Sequence, residues 1–109
     1  MATGTRAAVA RRYETLNAAL ASGDFGPLAS VIAEDATDHN PAPGQAPGLA
    51  GIRRAVGELR ASLSDLRLEV SEIIVEKDRA ACRIAMTATH TGTFLGIPAT
   101  GRKIRQEGI

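Results

Sequence analysis

The side chains best suited to chemistry lie in one short segment, Asp38-His39-Asn40-Pro41, and at one later position, His90. A carboxylate, an imidazole and an amide can serve as base, proton carrier and hydrogen-bond donor. The segment is predicted to be extended, because a residue before proline avoids the helical region. The next seven positions, 42–48, hold two prolines and two glycines, which restrict the loop. The pattern predicts a small-molecule pocket without naming a reaction.

An alternative for this segment is a polar turn whose side chains satisfy backbone donors ahead of the proline loop. In an extended segment Asp38 and Asn40 share one side and His39 takes the other, so the three cannot all line one pocket. Asn40 and His39 are candidate catalytic residues, and for each of them the polar turn is an equally good interpretation. Asp38 is a candidate substrate-binding residue, although the turn is favoured for it.

His90 continues an alternating pattern with Met86 and Ala88, so it is predicted to face inward near the end of a strand. Histidine exchanges protons near neutral pH and can polarise a carbonyl, which an enolate-forming step requires. His90 is therefore a candidate catalytic residue and Met86 a candidate substrate contact. The alternative is a core histidine that is satisfied by a backbone carbonyl.

Four more positions are candidate substrate-binding residues. Tyr13 and Asn17 lie one helical turn apart, where both could look into a cavity between helix and sheet. Phe94 belongs to an apolar loop tip that is either a cavity lid or a buried loop. Gln106 lies two residues after Ile104 on the last strand, so the two side chains share one face and Gln106 could point into the cavity. For Tyr13 the alternative is an ordinary core residue with its hydroxyl at the surface.

The composition excludes several classes of function. The 109 residues predict one domain over 1–109. A net charge of +1 does not indicate a surface that binds nucleic acid or an acidic membrane. A single cysteine, Cys82, allows no internal disulfide, and no Cys/His spacing suggests zinc. No apolar stretch has the form of a signal peptide or membrane span, so a cytoplasmic location is expected.

The hydropathy period changes along the chain from 3.6 to 2. Helical spacing covers 5–21 and 49–63, with a short helix between them and Ser64-Asp65 as the expected stop of the longer one. Alternation then predicts strands over 66–75, with a bulge after Val70, over 80–91 and over 103–109. Helices followed by antiparallel strands predict an α+β domain with the helices on one face of a curved sheet.

Two long motifs carry a family resemblance. Asp38-His39-Asn40-Pro41 with the loop through Ile52, and the run from Thr89 to Gly101, resemble the SnoaL-like polyketide cyclase and ester cyclase group of the nuclear-transport-factor-2-like superfamily. The resemblance covers about residues 9–109. It implies a conical α+β fold, with a curved mixed or antiparallel sheet and a ligand cavity between helix and sheet. It also implies a homodimer, a hydrophobic small-molecule substrate, and ring closure by intramolecular aldol condensation without metal or organic cofactor.

The end of the sequence departs from the family pattern. Members of the family usually continue past Gly108-Ile109 with an acidic residue and a final hairpin, and the family's acid/base aspartate has no confident counterpart here. Two functions therefore remain open. One is a cofactor-independent polyketide cyclase-like enzyme, in which His90 moves the proton while Asn40 and Tyr13 orient the substrate. The other is a non-catalytic ligand-binding or dimerisation module on the same fold, a truncated paralogue.

Overall fold

Helix α1 (Arg6–Ser22) begins and ends where the sequence predicts. The computed structural model describes residues 5–109. The Thr5 side chain accepts a hydrogen bond from the Ala8 backbone N–H at 3.0 Å, which caps the first turn. Gly23 closes the helix with a left-handed backbone, φ 81°, and donates its N–H to the Ala19 carbonyl. A short 3₁₀ helix (Gly26–Ser30) follows, with Pro27 in its first turn.

Helix α2 (Gly48–Ser62) runs directly into strand β1 (Leu63–Glu76) without a loop. The predicted stop at Ser64-Asp65 is therefore wrong, as is the predicted start of the strand at Leu66. Leu63 already has extended backbone, φ −127° and ψ 123°, and is only 1% exposed. Strand pairing opposite His90 buries this side chain in the core, and that packing overrides its place in the helical apolar pattern.

The sheet has three antiparallel strands in the order β1-β2-β3, where β2 is Arg79–His90 and β3 is Lys103–Gly108. A register shift between Val70 and Glu72 confirms the predicted bulge. A second shift, near Asp65, was not predicted. There the backbone takes φ 53°, an uncommon value for a residue other than glycine. The predicted α+β class is confirmed.

The core lies between the helices and one face of the sheet, in two adjoining clusters. The first joins α1 to β1 and β2, and the second joins α1 to the 3₁₀ helix and the start of α2. The buried members of the first are Leu20, Leu63, Leu66 and Ala88, and those of the second are Ala19, Leu28 and Leu49.

The opposite face of the sheet is covered by charged side chains. Arg105 on β3 reaches across β2 to Glu69 on β1 at 2.9 Å and also pairs with Glu107 at 3.0 Å. Ala85 is the strand partner of both glutamates, and its small side chain lies beneath this ion pair at 6% exposed. Because the charged groups are about half exposed, their contribution to stability is small. No helix within residues 5–109 is long and apolar enough to cross a membrane.

Asn17 ties α1 to β1. Its side-chain Nδ2 donates to the Leu68 carbonyl at 2.8 Å, and its Oδ1 accepts from the Leu68 N–H at 2.8 Å. Strand β1 is an edge of the sheet, so the Leu68 N–H and C=O that point away from β2 have no strand to pair with among residues 5–109, and the side chain of Asn17 satisfies both.

The variant Asn17→Ala is expected to lower the free energy of unfolding by about 1–3 kcal/mol, because a part-buried N–H and C=O both lose their partner. Urea unfolding measures the loss. Glu14→Ala, at an exposed position one turn earlier, is the matched control and should change stability by less than about 0.5 kcal/mol. Equal stability of the two variants would contradict this structural role.

Candidate ligand-binding site

A cavity of about 700 Å³ opens between α2, the loop before it, the loop that joins β2 to β3, and β3 itself. The apolar residues of α2, which the sequence pattern assigns to the core, are only half-buried because they form one wall of this cavity. These residues are Ile52, Ala55, Val56 and Leu59. Phe94 and Leu95 extend the wall from the opposite side. The volume is within the range of small-molecule sites.

Polar side chains enter the cavity from two regions that are far apart in sequence. Asp38, Asn40 and Gln45 come from the loop before α2, and Gln106 comes from β3. Of the predicted site residues, the fold thus brings together Asp38, Asn40, Phe94 and Gln106. Gln106 is the strand partner of Met86, as its predicted inward parity requires.

Asp38 organises the loop. Its Oδ1 accepts the Asn40 N–H at 2.9 Å and its Oδ2 accepts the Gln45 Nε2–H at 2.9 Å. Gln45 in turn accepts the Ala42 N–H through its Oε1 at 2.9 Å. Asp38 therefore makes the turn that the sequence favours for it, while also lining the cavity. The Asn40 N–H, and then the Gln45 amide, hold the pKa of this carboxyl below its ordinary value.

The lowered pKa of Asp38 predicts how its contribution depends on pH. A carboxyl whose pKa is lower in the folded state stabilises above its unfolded pKa, and the contribution disappears as the pH falls through the folded value. We expect the stability difference between the protein and Asp38→Asn to be constant above about pH 5 and to decrease progressively as the pH falls below about 4, the ordinary range of an aspartate. Thermal unfolding from pH 7 to pH 2.5 measures it. A difference that grows on acidification would contradict the assignment.

The side-chain amides of Asn40 and Gln106 are free hydrogen-bonding groups of the cavity. Both residues are exposed, and neither side chain makes a hydrogen bond within the part of the chain that the structure describes. Each amide offers donors and an acceptor to a ligand. The cavity therefore combines an apolar wall with two unpaired amides.

His90 faces inward as predicted and is 8% exposed. Its Nδ1 lies 3.0 Å from the Thr100 hydroxyl, so its partner is not the backbone carbonyl that the core alternative supposes. Its Nε2 is enclosed and has no hydrogen-bond partner among residues 5–109. His90 does not line the cavity. The backbone N–H groups of the next two residues, Thr91 and Gly92, donate to the carbonyl of Ser62, and Ser62 is one of the residues that line it.

The remaining candidates lie elsewhere. Tyr13 lines a separate apolar cavity of about 320 Å³ between α1, the 3₁₀ region and β2, where burial and the neighbouring Cys82 raise the pKa of its hydroxyl. Asn17 is bonded to Leu68, and Met86 packs against the first core cluster. His39 is exposed and lines neither cavity.

Sequence reasoning missed two residues near the site, Gln45 and Thr100, and named Leu95 only as part of the apolar loop tip. Gln45 and Thr100 act through hydrogen bonds whose partners the spacing does not reveal. Leu95 occupies a two-residue turn with Gly96, both with positive φ (51° and 79°), closed by paired bonds between Phe94 and Ile97 at 2.9 Å. This strained turn leaves Leu95 71% exposed at the mouth of the cavity.

No three His, Cys, Asp or Glu side chains converge within residues 5–109 as ligands of a metal ion would. The residues that line the cavity are suited to an organic ligand with carbonyl or hydroxyl groups. The absence of an organic cofactor remains a prediction from the family resemblance.

Two helices packed on a three-stranded antiparallel sheet, with a cavity at one side, define the nuclear-transport-factor-2-like fold class. The model of the SnoaL-like polyketide cyclase family matches residues 8–109. The chain belongs to the SnoaL-like polyketide cyclase family.

Solved structures agree with this assignment. TsrD of Streptomyces laurentii is 31% identical with a TM-score of 0.81, over 94% of this chain and 75% of that protein. IdmH of Streptomyces antibioticus, a predicted polyketide cyclase, is 30% identical with a TM-score of 0.70, over 90% of this chain and 76% of IdmH. AclR of Streptomyces galilaeus, a predicted hydroxylase, is 26% identical with a TM-score of 0.69, over 94% of this chain and 76% of AclR. No curated protein matches the chain significantly.

Proposed function

We propose that this protein binds a hydrophobic polyketide-type molecule and closes a ring in it by an intramolecular aldol reaction, without a cofactor. The observation that carries the proposal is the cavity of about 700 Å³, in which the apolar face of α2 lies opposite the free amides of Asn40 and Gln106. Membership of the polyketide cyclase family supports the same class of substrate.

The reaction needs a proton to leave a carbon next to a carbonyl, and the resulting enolate then attacks a second carbonyl of the same molecule. One C–H bond breaks, one C–C bond forms, and the proton ends on the new alkoxide, so nothing else is consumed. We assign the hydrogen bonds to the enolate oxygen to Asn40 and Gln106, which line the cavity. We assign the proton transfer to His90; because its ring does not line the cavity and its Nε2 is enclosed, this step requires the neighbouring loop to shift so that Nε2 comes within hydrogen-bond reach of the bound molecule. The apolar wall would hold the flexible chain folded, which supplies acceleration through orientation. Tyr13, in its separate cavity, has no part in this scheme.

Binding without catalysis is the second candidate function, and two observations favour it. The carboxylates that line the cavity, Asp38 and Glu58, are both engaged, Asp38 by the loop and Glu58 by Arg54 at 3.4 Å. The Nε2 of His90 is enclosed. A hydrophobic ligand could thus be held in the cavity without meeting a free base.

A titration with aromatic polyketide mimics and a linear poly-β-ketone, followed by NMR and by product analysis, tests the proposal. Ala55→Phe should fill the cavity and weaken binding about tenfold or more, whereas Ala50→Phe, exposed on the same helix, should not. Binding with ring-closed product supports the enzyme, and binding without turnover supports the second candidate. Absence of saturable binding would overturn both. The homodimer and the cytoplasmic location stay predictions.

A further inference from the structure

The loop that joins β2 to β3 holds His90 by three separate hydrogen bonds. The His90 N–H donates to the Arg102 carbonyl at 2.9 Å, and the His90 carbonyl accepts the Gly101 N–H at 2.8 Å. The third contact joins His90 Nδ1 to the Thr100 hydroxyl at 3.0 Å. Gly101 has φ 70°, a backbone conformation that other residues rarely adopt, and the reversal of the chain there accompanies the contact between the Thr100 hydroxyl and the Nδ1 edge of the ring.

Thr100 is itself held in place. The Arg102 N–H donates to its Oγ1 at 3.3 Å, so the hydroxyl oxygen is oriented by the same turn that binds the His90 backbone. The imidazole ring therefore has one nitrogen with a fixed partner and one nitrogen, Nε2, that is enclosed and has no partner within residues 5–109.

The unpaired nitrogen indicates which tautomer is present. A buried N–H without an acceptor is rarer in proteins than a buried acceptor without a donor. If the ring proton is on Nδ1, it is donated to Thr100 and only a lone pair on Nε2 is unpaired. If it is on Nε2, a buried N–H is left without an acceptor. The first arrangement is favoured.

We propose that Thr100 is the positioning residue of His90: its hydroxyl accepts the Nδ1–H, fixes the ring plane and keeps Nε2 as the nitrogen that takes a proton. The tautomer is a property of the free protein, while its catalytic consequence rests on the proposed function. Thr100 touches no reacting atom in this scheme and acts through His90 alone.

The tautomer of His90 can be measured directly by long-range ¹⁵N–¹H correlation NMR on the ligand-free protein at alkaline pH. We expect a protonated Nδ1 and an unprotonated Nε2. Thr100→Val keeps the side-chain shape but lacks the hydroxyl, so the ring should populate the other tautomer or exchange between the two. Thr100→Ser keeps the hydroxyl and should restore the original spectrum. Thermal unfolding of the three proteins shows that each is folded.

A protonated Nε2 in the unaltered protein, or an unchanged tautomer in Thr100→Val, would overturn the proposal. Should Thr100→Val fail to fold, Thr100→Ala is measured in its place with the same expected change. In turnover assays Thr100→Val should lose about tenfold in kcat with little change in KM, the loss expected for one hydrogen bond of positioning. Absence of turnover in every variant, with the tautomers as expected, would count against the proposed function and leave the Thr100 assignment standing.

Discussion

Replacing Gly51 with alanine is expected to lower the free energy of unfolding by about 3 kcal/mol or more, at the upper end of overpacking effects. Gly51 is buried in α2, and a Cβ built on it would overlap the carbonyl of Ala46. The obstacle is backbone, so no rotation of a side chain can relieve it. For a domain of this size the loss corresponds to about 12 °C or more in the melting temperature.

Gly57→Ala is the matched control, because it lies in the same helix and its Cβ would meet only the Phe25 ring at an ordinary 3.6 Å. Alanine is the better helix former by about 1 kcal/mol, so this variant should be as stable as the parent or more stable. Calorimetry of the two variants gives the comparison. Similar melting temperatures for both would contradict the close contact at Gly51.

The close contact between Gly51 and Ala46 also holds one side of the candidate binding site in position. It brings the loop before α2 against the first turn of the helix, where the Leu49 N–H donates to the Glu34 carbonyl at 3.0 Å. Pro47, the residue that precedes the helix, has no side-chain cap to offer, so this carbonyl satisfies the helix terminus instead. The same loop carries Asp38 and Asn40 into the cavity, and a shift of the loop would disturb both.

The parts of the fold that sequence could predict are those set by local chemistry. Thr5 and Gly23 cap α1 through their own side chain and backbone freedom, and the alternation from Met86 to His90 fixes which face is buried. The end of α2 escaped prediction because Leu63 fits a helical stripe and a strand equally well. Only its pairing with His90, distant in sequence, decides between them.

The same limit applies to the candidate site. Strand parity placed Gln106 inward, and the proline loop indicated a fixed polar cluster around Asp38. The contact between His90 and Thr100 depends on a reversal of the chain at Gly101, and the position of Tyr13 in a second cavity depends on how α1 crosses the sheet. Neither follows from spacing along the chain.

The substitution His90→Asn is expected to lower the ring-closure rate by about 10²–10⁴-fold, the usual contribution of a general acid or base. The asparagine amide can still reach the Thr100 hydroxyl from the position of Nδ1, while no group remains at the position of Nε2. Ligand affinity should change by less than about threefold, because His90 does not line the cavity. Single-turnover kinetics with a linear poly-β-ketone, alongside a binding titration, separates the two effects.

His39→Asn makes the same chemical change at an exposed position outside the cavity, and its ring-closure rate should stay within about twofold of the parent. Thermal unfolding of both variants distinguishes a lost proton carrier from a lost fold, and a folded His90→Asn with the parent rate would exclude His90 as that carrier. If His39→Asn alone were inactive, the proton would have to move at the loop before α2. In that case the exposed imidazole beside Asp38, and not the enclosed one beside Thr100, would do the chemistry.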